Sequence, residues 1–301
     1  MQMDEESLYE WKETAGGICI IGCRASLSEI SVPEQIAGLP VVQIGDYAFR
    51  GMDALEEITL PDSLRYLGDH VFFNCLKLKK LLVYDTLNHV GDGAFKNCDH
   101  LSEITMIVRK DHAAALRLLI SDIMQDVWVR LIYEDRVPKV EAQLVFPAFF
   151  FDYIENYPAR IFEEVIYGSG QAYRQSFRGG DVDYEAYDRL FERSVREDSI
   201  QAAIGHAVGR LSCPVRLGTE RQKVYESWLG EHGKDLMKFC LTEDRPEALE
   251  QILKLDLFDE EQTGMMLELA LQKKKVEFIT LLMEYQGRRF AEGRRKKRFL
   301  L

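Results

Sequence analysis

No apolar run in this 301-residue chain approaches the ~18–20 residues needed to cross a bilayer, which argues against a membrane-spanning helix. The first residues, Met1-Gln2-Met3-Asp4-Glu5-Glu6, lack the basic and apolar segments of a secretory signal. The expected location is therefore the cytoplasm, with the cell surface as the alternative if an export signal lies outside this sequence. Cysteine is sparse, six residues in all, too few for a disulfide scaffold. The six histidines, at positions 70, 89, 100, 112, 206 and 232, form no His-Glu-x-x-His pair, and neither a Walker A loop nor a Gly-x-Ser-x-Gly elbow occurs. No catalytic residue, metal or cofactor is expected.

Charge is short of one sign in one place. The formal net charge is −12, yet from Gly287 onward seven basic residues face one acid, Glu292, leaving a still more acidic body. Such a body repels a phosphate backbone, so nucleic acid is not an expected partner. The basic stretch 287–301 reads as a solvated tail, with weak contact to an anionic surface as the alternative.

What is present is a beat of 23 residues. It runs Ile44-Gly45-Asp46-Tyr47-Ala48-Phe49, Leu67-Gly68-Asp69-His70-Val71-Phe72 and Val90-Gly91-Asp92-Gly93-Ala94-Phe95, with Leu55, Leu78 and Leu101 six residues after each Phe. A repeat this long is a solenoid, whose units bury their apolar faces only by stacking. Ile58-Thr59-Leu60, Leu81-Leu82-Val83-Tyr84 and Ile104-Thr105-Met106-Ile107 are the strands. Gly45, Gly68 and Gly91 mark tight turns where a Cβ would be costly, and Phe49, Phe72 and Phe95 form an aromatic ladder. Asp46, Asp69 and Asp92 fit turn capping better than a calcium ladder. Cys75 and Cys98 share one repeat position and read as buried thiols, a Cys98–His100 metal pair being the less economical reading.

These motifs resemble the BspA-like leucine-rich repeats, which run Ile-Gly-x-x-Ala-Phe-x-x-Cys-x-x-Leu-x-x-Ile, over about residues 15–108. The resemblance implies a stacked solenoid with a binding role, and in that family such repeats often mediate adhesion at microbial surfaces.

Beyond Val108 the beat stops. Residues 111–120 read as a cap helix with Asp111 at its start, and Val127–Tyr133 with Val140–Phe146 as a β-hairpin, so 109–146 is a connector. From Pro147 to 286 apolar residues recur at helical spacing, and Leu236, Phe239, Cys240, Leu249, Ile252 and Leu253 return 30 residues later. The expected class is α+β: a leucine-rich solenoid over 1–108 and a helical domain over 147–286, compatible with ankyrin- or HEAT-like hairpin stacking.

Two stretches stand out. The aromatic run Phe149–Tyr157, with Asp152 and Arg160 as polar anchors, either lines a pocket or seals a domain seam, the seam being preferred. Gly168–Gly180 carries Arg174 and Arg178, which could hold an anion against glycine amides, although a short helix between loops is the preferred reading. The expected function is non-catalytic: a surface for another protein, with Thr59, Tyr84 and Thr105 on its exposed strand face. The alternative is a helical domain that binds a small ligand or phosphate, or acts as an enzyme, localised by the repeats.

Overall fold

The computed structural model describes residues 8–109, 113–134, 140–156 and 161–298, with backbone alone at 153–156, 161–164 and 291–298. The chain divides into two compact units, Met1–Asp198 and Ser199–Leu301. No helix among the described residues is long and apolar enough to cross a membrane.

The first unit opens with an antiparallel pair, β1 (Tyr9–Thr14) and β2 (Gly17–Cys23). Then come β3 (Glu29–Ser31), β4 (Gln35–Ile36), β5 (Leu39–Ile44), β6 (Glu57–Thr59), β7 (Tyr66–Leu67), β8 (Lys80–Tyr84), β9 (His89–Val90) and β10 (Glu103–Val108). The strands sort into two sheets, β1-β2-β5-β7-β9 with β4 alongside β5, and a second that contains β3, β6, β8 and β10 side by side. Each coil thus gives one strand to each sheet, in parallel with the coil before it. Between the sheets lie Ile58, Leu81, Ile104 and the Phe ladder, all buried. Phe49 and Phe72 stack at 5.4 Å between ring centroids, and Phe72 and Phe95 at 5.3 Å, as expected for rings repeating every coil.

The turn glycines serve close approach rather than a left-handed backbone. A Cβ on Gly68 would lie 2.3 Å from Asp46 Oδ1 and 2.7 Å from its backbone nitrogen, and one on Gly91 would meet Asp69 and Gly68 as closely. The reason is that Asp46 Oδ1 accepts from Asp69 N–H at 2.8 Å, and Asp69 Oδ1 from Asp92 N–H at 2.9 Å. The aspartates therefore cap the next coil, not their own turn. The left-handed positions are others in the repeat, Tyr47, His70 and Gly93, then Gly51, Asn74 and Asn97.

After β10, α1 (Ala114–Ile120) starts without a side-chain cap from Ala113, and Asp111 lies outside the described residues. The hairpin of β11 (Val127–Tyr133) and β12 (Val140–Phe146) is present, but β11 also pairs in parallel with β10. It is the last solenoid strand and not a connector, so the second sheet runs β12-β11-β10-β8-β6-β3. Residues 147–198 depart from the expected helical domain. Aromatic and β-branched residues instead form an antiparallel pair, β13 (Phe150–Asn156) and β14 (Ile161–Tyr167). Beyond it are α2 (Gly170–Arg174), the short pair β15 (Phe177–Arg178) and β16 (Asp181–Val182), then α3 (Tyr184–Arg189) and α4 (Phe191–Glu197).

The second unit is helical: α5 (Ile200–Ser212), α6 (Thr219–Glu231), α7 (Gly233–Thr242), α8 (Pro246–Leu253), α9 (Glu260–Gln272) and α10 (Val276–Arg298). α7 lies against α9 and α8 against α10, which is hairpin stacking. The 30-residue rhythm reappears in the turns, where Asp244 and Lys274 are both left-handed and the following N–H groups of Arg245 and Lys275 return to Cys240 and Ala270. The α10 backbone stays helical through Arg298, so the basic stretch up to that residue is not an irregular tail; its side chains beyond Phe290 are outside the described residues.

Within α5, His206 and Arg210 are wholly buried. Burial, and then the neighbouring Arg210, pulls the His206 pKa from 6.5 to about 3. An unfolded chain takes up that proton near 6.5 and the folded one only near 3, so the stability tied to neutral His206 is complete above pH 6.5 and declines as pH falls. Chemical denaturation of the full chain, followed by hydrogen exchange in α5, should lose about 1.4 kcal/mol per pH unit below pH ~6; His206→Leu should flatten that slope. In the solenoid, Gly68→Ala and Gly91→Ala should each cost about 2–4 kcal/mol by thermal or urea unfolding. Gly45→Ala, whose Cβ would have no neighbour nearer than 3.4 Å, should shift stability by less than about 1 kcal/mol.

Candidate functional site

The six-stranded sheet β12-β11-β10-β8-β6-β3 has an inner face in the core and an outer face of three rows, set by the strand register. One row is Glu29, Glu57, Lys80, Glu103 and Trp128. The next is Ser31, Thr59, Leu82, Thr105, Arg130 and Gln143. The third is Tyr84, Ile107, Ile132 and Glu141. Alternation along each strand sends Ile58, Leu81, Val83, Ile104, Met106, Val129 and Leu131 inward and leaves these rows outward.

Thr59, Tyr84 and Thr105 thus share one face and are each half-buried. Thr59 and Thr105 flank Leu82, and Tyr84 lies one row over. Leu82, Trp128, Arg130 and Ile132 complete the face. Trp128, Arg130 and Ile132 escape a reading of the repeat because β11 follows β10 at a step of 25 residues and lacks the Ile-Gly-x-x-Ala-Phe lead-in. Most charges on the face are mutually engaged. Lys80 Nζ lies 2.7 Å from Glu57, and that hydrogen bond, against some desolvation, raises the lysine pKa, with Glu103 and Glu29 adding to it. Arg130 forms a two-pronged pair with Glu141, which also accepts from Gln143. Arg109 lies over the Tyr84 ring at 4.9 Å and pairs with Glu134 and Asp62. The middle of the face is held by uncharged side chains, Thr59, Leu82, Tyr84 and Thr105.

The two arginines proposed for anion binding are not brought together. Arg178 is exposed and paired with Asp183 at 2.8 Å. Arg174 is buried, where its guanidinium donates to the carbonyls of Ile120, Gln125, Pro147 and Gly170 and lies over the Phe149 ring at 4.8 Å. It is a clamp that joins the end of α1, the loop after it and the start of α2. Desolvation pulls its pKa down to about 10, partly opposed by Asp126. Arg174, Phe149 and Phe151 are among the residues that line a cleft of about 870 Å³. Phe150 stacks instead on Tyr167 at 4.8 Å. Tyr157 and Arg160 lie outside the described residues.

The thiols of the repeat are structural. Cys75 Sγ donates to Phe49 O and Cys98 Sγ to Phe72 O, and burial pushes their pKa values up to about 11 and about 12. His100 Nδ1 faces Leu76 O at 2.8 Å instead of Cys98. Among the described residues no group of three His, Cys, Asp or Glu could hold a metal ion.

A clamp and an exposed pair respond differently to removal. Arg174→Met should destabilise the chain by at least about 3 kcal/mol, because it leaves four carbonyls without their donor. Arg178→Ala should cost less than about 0.5 kcal/mol, as exposed ion pairs do. Urea unfolding of both variants checks this, and equal small costs would contradict the clamp.

Residues 21–110 match the family described as a BspA type leucine rich repeat region, in six copies. No curated protein matches the chain. Similar solved structures include a leucine rich repeat protein of T. pallidum, 20% identical, with 36% of this chain and 76% of that one covered and a TM-score of 0.25. A leucine rich cell surface protein of Faecalibacterium prausnitzii A2-165 is 24% identical over 35% of this chain and 32% of its own, with a TM-score of 0.30. A leucine-rich repeat protein of Bacteroides ovatus ATCC 8483 is 18% identical over 34% of this chain and 47% of its own, with a TM-score of 0.20. Residues 21–110 are a BspA-type leucine-rich repeat region, folded as the core of a β-solenoid.

Proposed function

We propose that this chain is a non-catalytic protein-interaction module and that the outer face of its six-stranded sheet is the binding surface. One observation carries the reading: the face presents the half-buried Leu82, Tyr84, Trp128 and Ile132 among threonines, and many of its charges are paired with one another. Aromatic and aliphatic anchors inside a polar rim are the usual anatomy of a protein interface. Parallel strands fixed on both sides hold these side chains in place, so little ordering entropy is lost on binding. The strongly shifted groups also support a structural role. Cys75, Cys98, Cys240, Tyr173 and His206 owe their shifts first to burial in the core.

A photo-crosslinking amino acid at Leu82, expressed in the native cells, should trap a discrete protein, whereas one at Trp11 on the other sheet should not. Changing Thr59, Tyr84 and Thr105 together to Glu should lower binding of the trapped protein by at least about tenfold. Equal crosslinking from both positions, or full binding by the triple variant, would remove this face from the interface.

A further inference from the structure

The cleft at the end of the repeat stack has a chemistry of its own, independent of the sheet face. One wall comes from the last repeat and another from α1 and the loop after it; β13 and α2 complete it. Three large apolar side chains are open to solvent there: Leu118 at 39%, Met124 at 40% and Phe151 at 37%. At about 870 Å³ the space is that of a small-molecule site.

Its charge distinguishes it from the acidic body around it. Lys96 and Arg117 line the cleft and are exposed, and their side chains make no hydrogen bond or ion pair among the described residues. Deeper in the wall, the buried Arg174 is solvated by carbonyl oxygens, and no carboxylate lies within ion-pair distance of it among the described residues. Carbonyl dipoles reduce the cost of burying that charge but do not neutralise it. Two acids also line the cleft. The backbone amides of Gly93 and Ala94 favour the charged form of Asp122 electrostatically, and Asp99 at the rim is the other acid. Asp126 partly offsets Arg174, so the charges most open to a ligand are those of Lys96 and Arg117 against Asp99, beside an apolar floor.

We propose that this cleft binds a small anionic amphiphile, an apolar body carrying one carboxylate, phosphate or sulfonate group. The apolar body rests on Leu118, Met124 and Phe151, and the anion meets Arg117 and Lys96 in the field of Arg174. Sheet-face binding requires none of these residues.

The test uses the full chain and 8-anilinonaphthalene-1-sulfonate as a fluorescent probe. The wild type should bind it saturably at one site, and octanoate or octyl phosphate should displace it, their ranking separating a carboxylate from a phosphate source. Octanol, with the same chain and no charge, should displace it poorly. Lys96→Glu with Arg117→Glu, both exposed and so without consequence for folding, should weaken probe binding by at least about tenfold; Met124→Ala should weaken it by several-fold through the apolar contact. Probe affinity within twofold of wild type in the double variant at unchanged Tm, or displacement by octanol as strong as by octanoate, would overturn the proposal. The crosslink from Leu82 should persist in the double variant, so the two readings fail separately.

Discussion

Each coil of the solenoid is tied to the next by an aspartate that accepts the following coil's aspartate N–H, Asp46 to Asp69 and Asp69 to Asp92. That amide sits at a turn, where no strand neighbour is available, and a carboxylate reaching across from the previous layer meets its need. The reach is so short that only glycine fits beside it, at Gly68 and Gly91. Everything else that repeats then inherits the 23-residue step: the Phe stack, the Asn74–Asn97 bond, and the Lys79–Glu56 and Lys80–Glu57 pairs. A one-residue slip would break each of them at once, so register is strongly specified.

A ladder built this way needs different ends. In the body of the stack, the His70 N–H donates to Asp92 O of the next coil. Gly93 occupies the equivalent place in the last repeat and has no such coil beyond it; the carboxyl of Asp122, just after α1, lies near its amide, which favours the charged carboxylate. Gln125 serves the same region by donating to the Cys98 and Leu101 carbonyls. On the sheet edge, the Tyr187 hydroxyl both accepts from Val145 N–H and donates to Val145 O, which closes β12 against further strand addition. The segment that seals the stack is also the one that lines the cleft, so capping and cleft share residues.

The repeat was legible because its constraint is local and periodic: Gly, Asp, Ala and Phe recur at fixed offsets, and each offset has a steric or hydrogen-bonding cause. The helical hairpins of the second unit were legible for the same reason, their core positions returning every 30 residues. Legibility failed where the cause is a long-range convergence. β11 belongs to the solenoid through pairing with β10, but α1 replaces the usual turn and shifts its spacing, so it reads as a separate hairpin. The aromatic residues of β13 carry a strand preference that the helical pattern farther on obscures. Arg174 shows the limit most clearly. Glycine neighbours suggest an anion loop, whereas its partners are carbonyls 27 to 54 residues earlier, together with that of Gly170.

One fixed register gives the first unit two surfaces with opposite properties. Stacking places Glu57, Lys80 and Glu103 side by side, so charges on the sheet face meet one another before they meet a partner. In the proposed interface such pairs would add little binding energy of their own, leaving selection to the shape of Leu82, Trp128, Ile132 and Tyr84. At the end of the stack the repetition stops, and with it the supply of partners in the next coil. Lys79 finds Glu56 across a coil, whereas Lys96, on the last repeat, and Arg117, on the helix that replaces a coil, have no acid opposite them among the described residues. Charge is therefore spent inside the lattice on the face and left over at its terminus. On the proposed readings, the face would discriminate by contour and the terminal cleft by sign of charge.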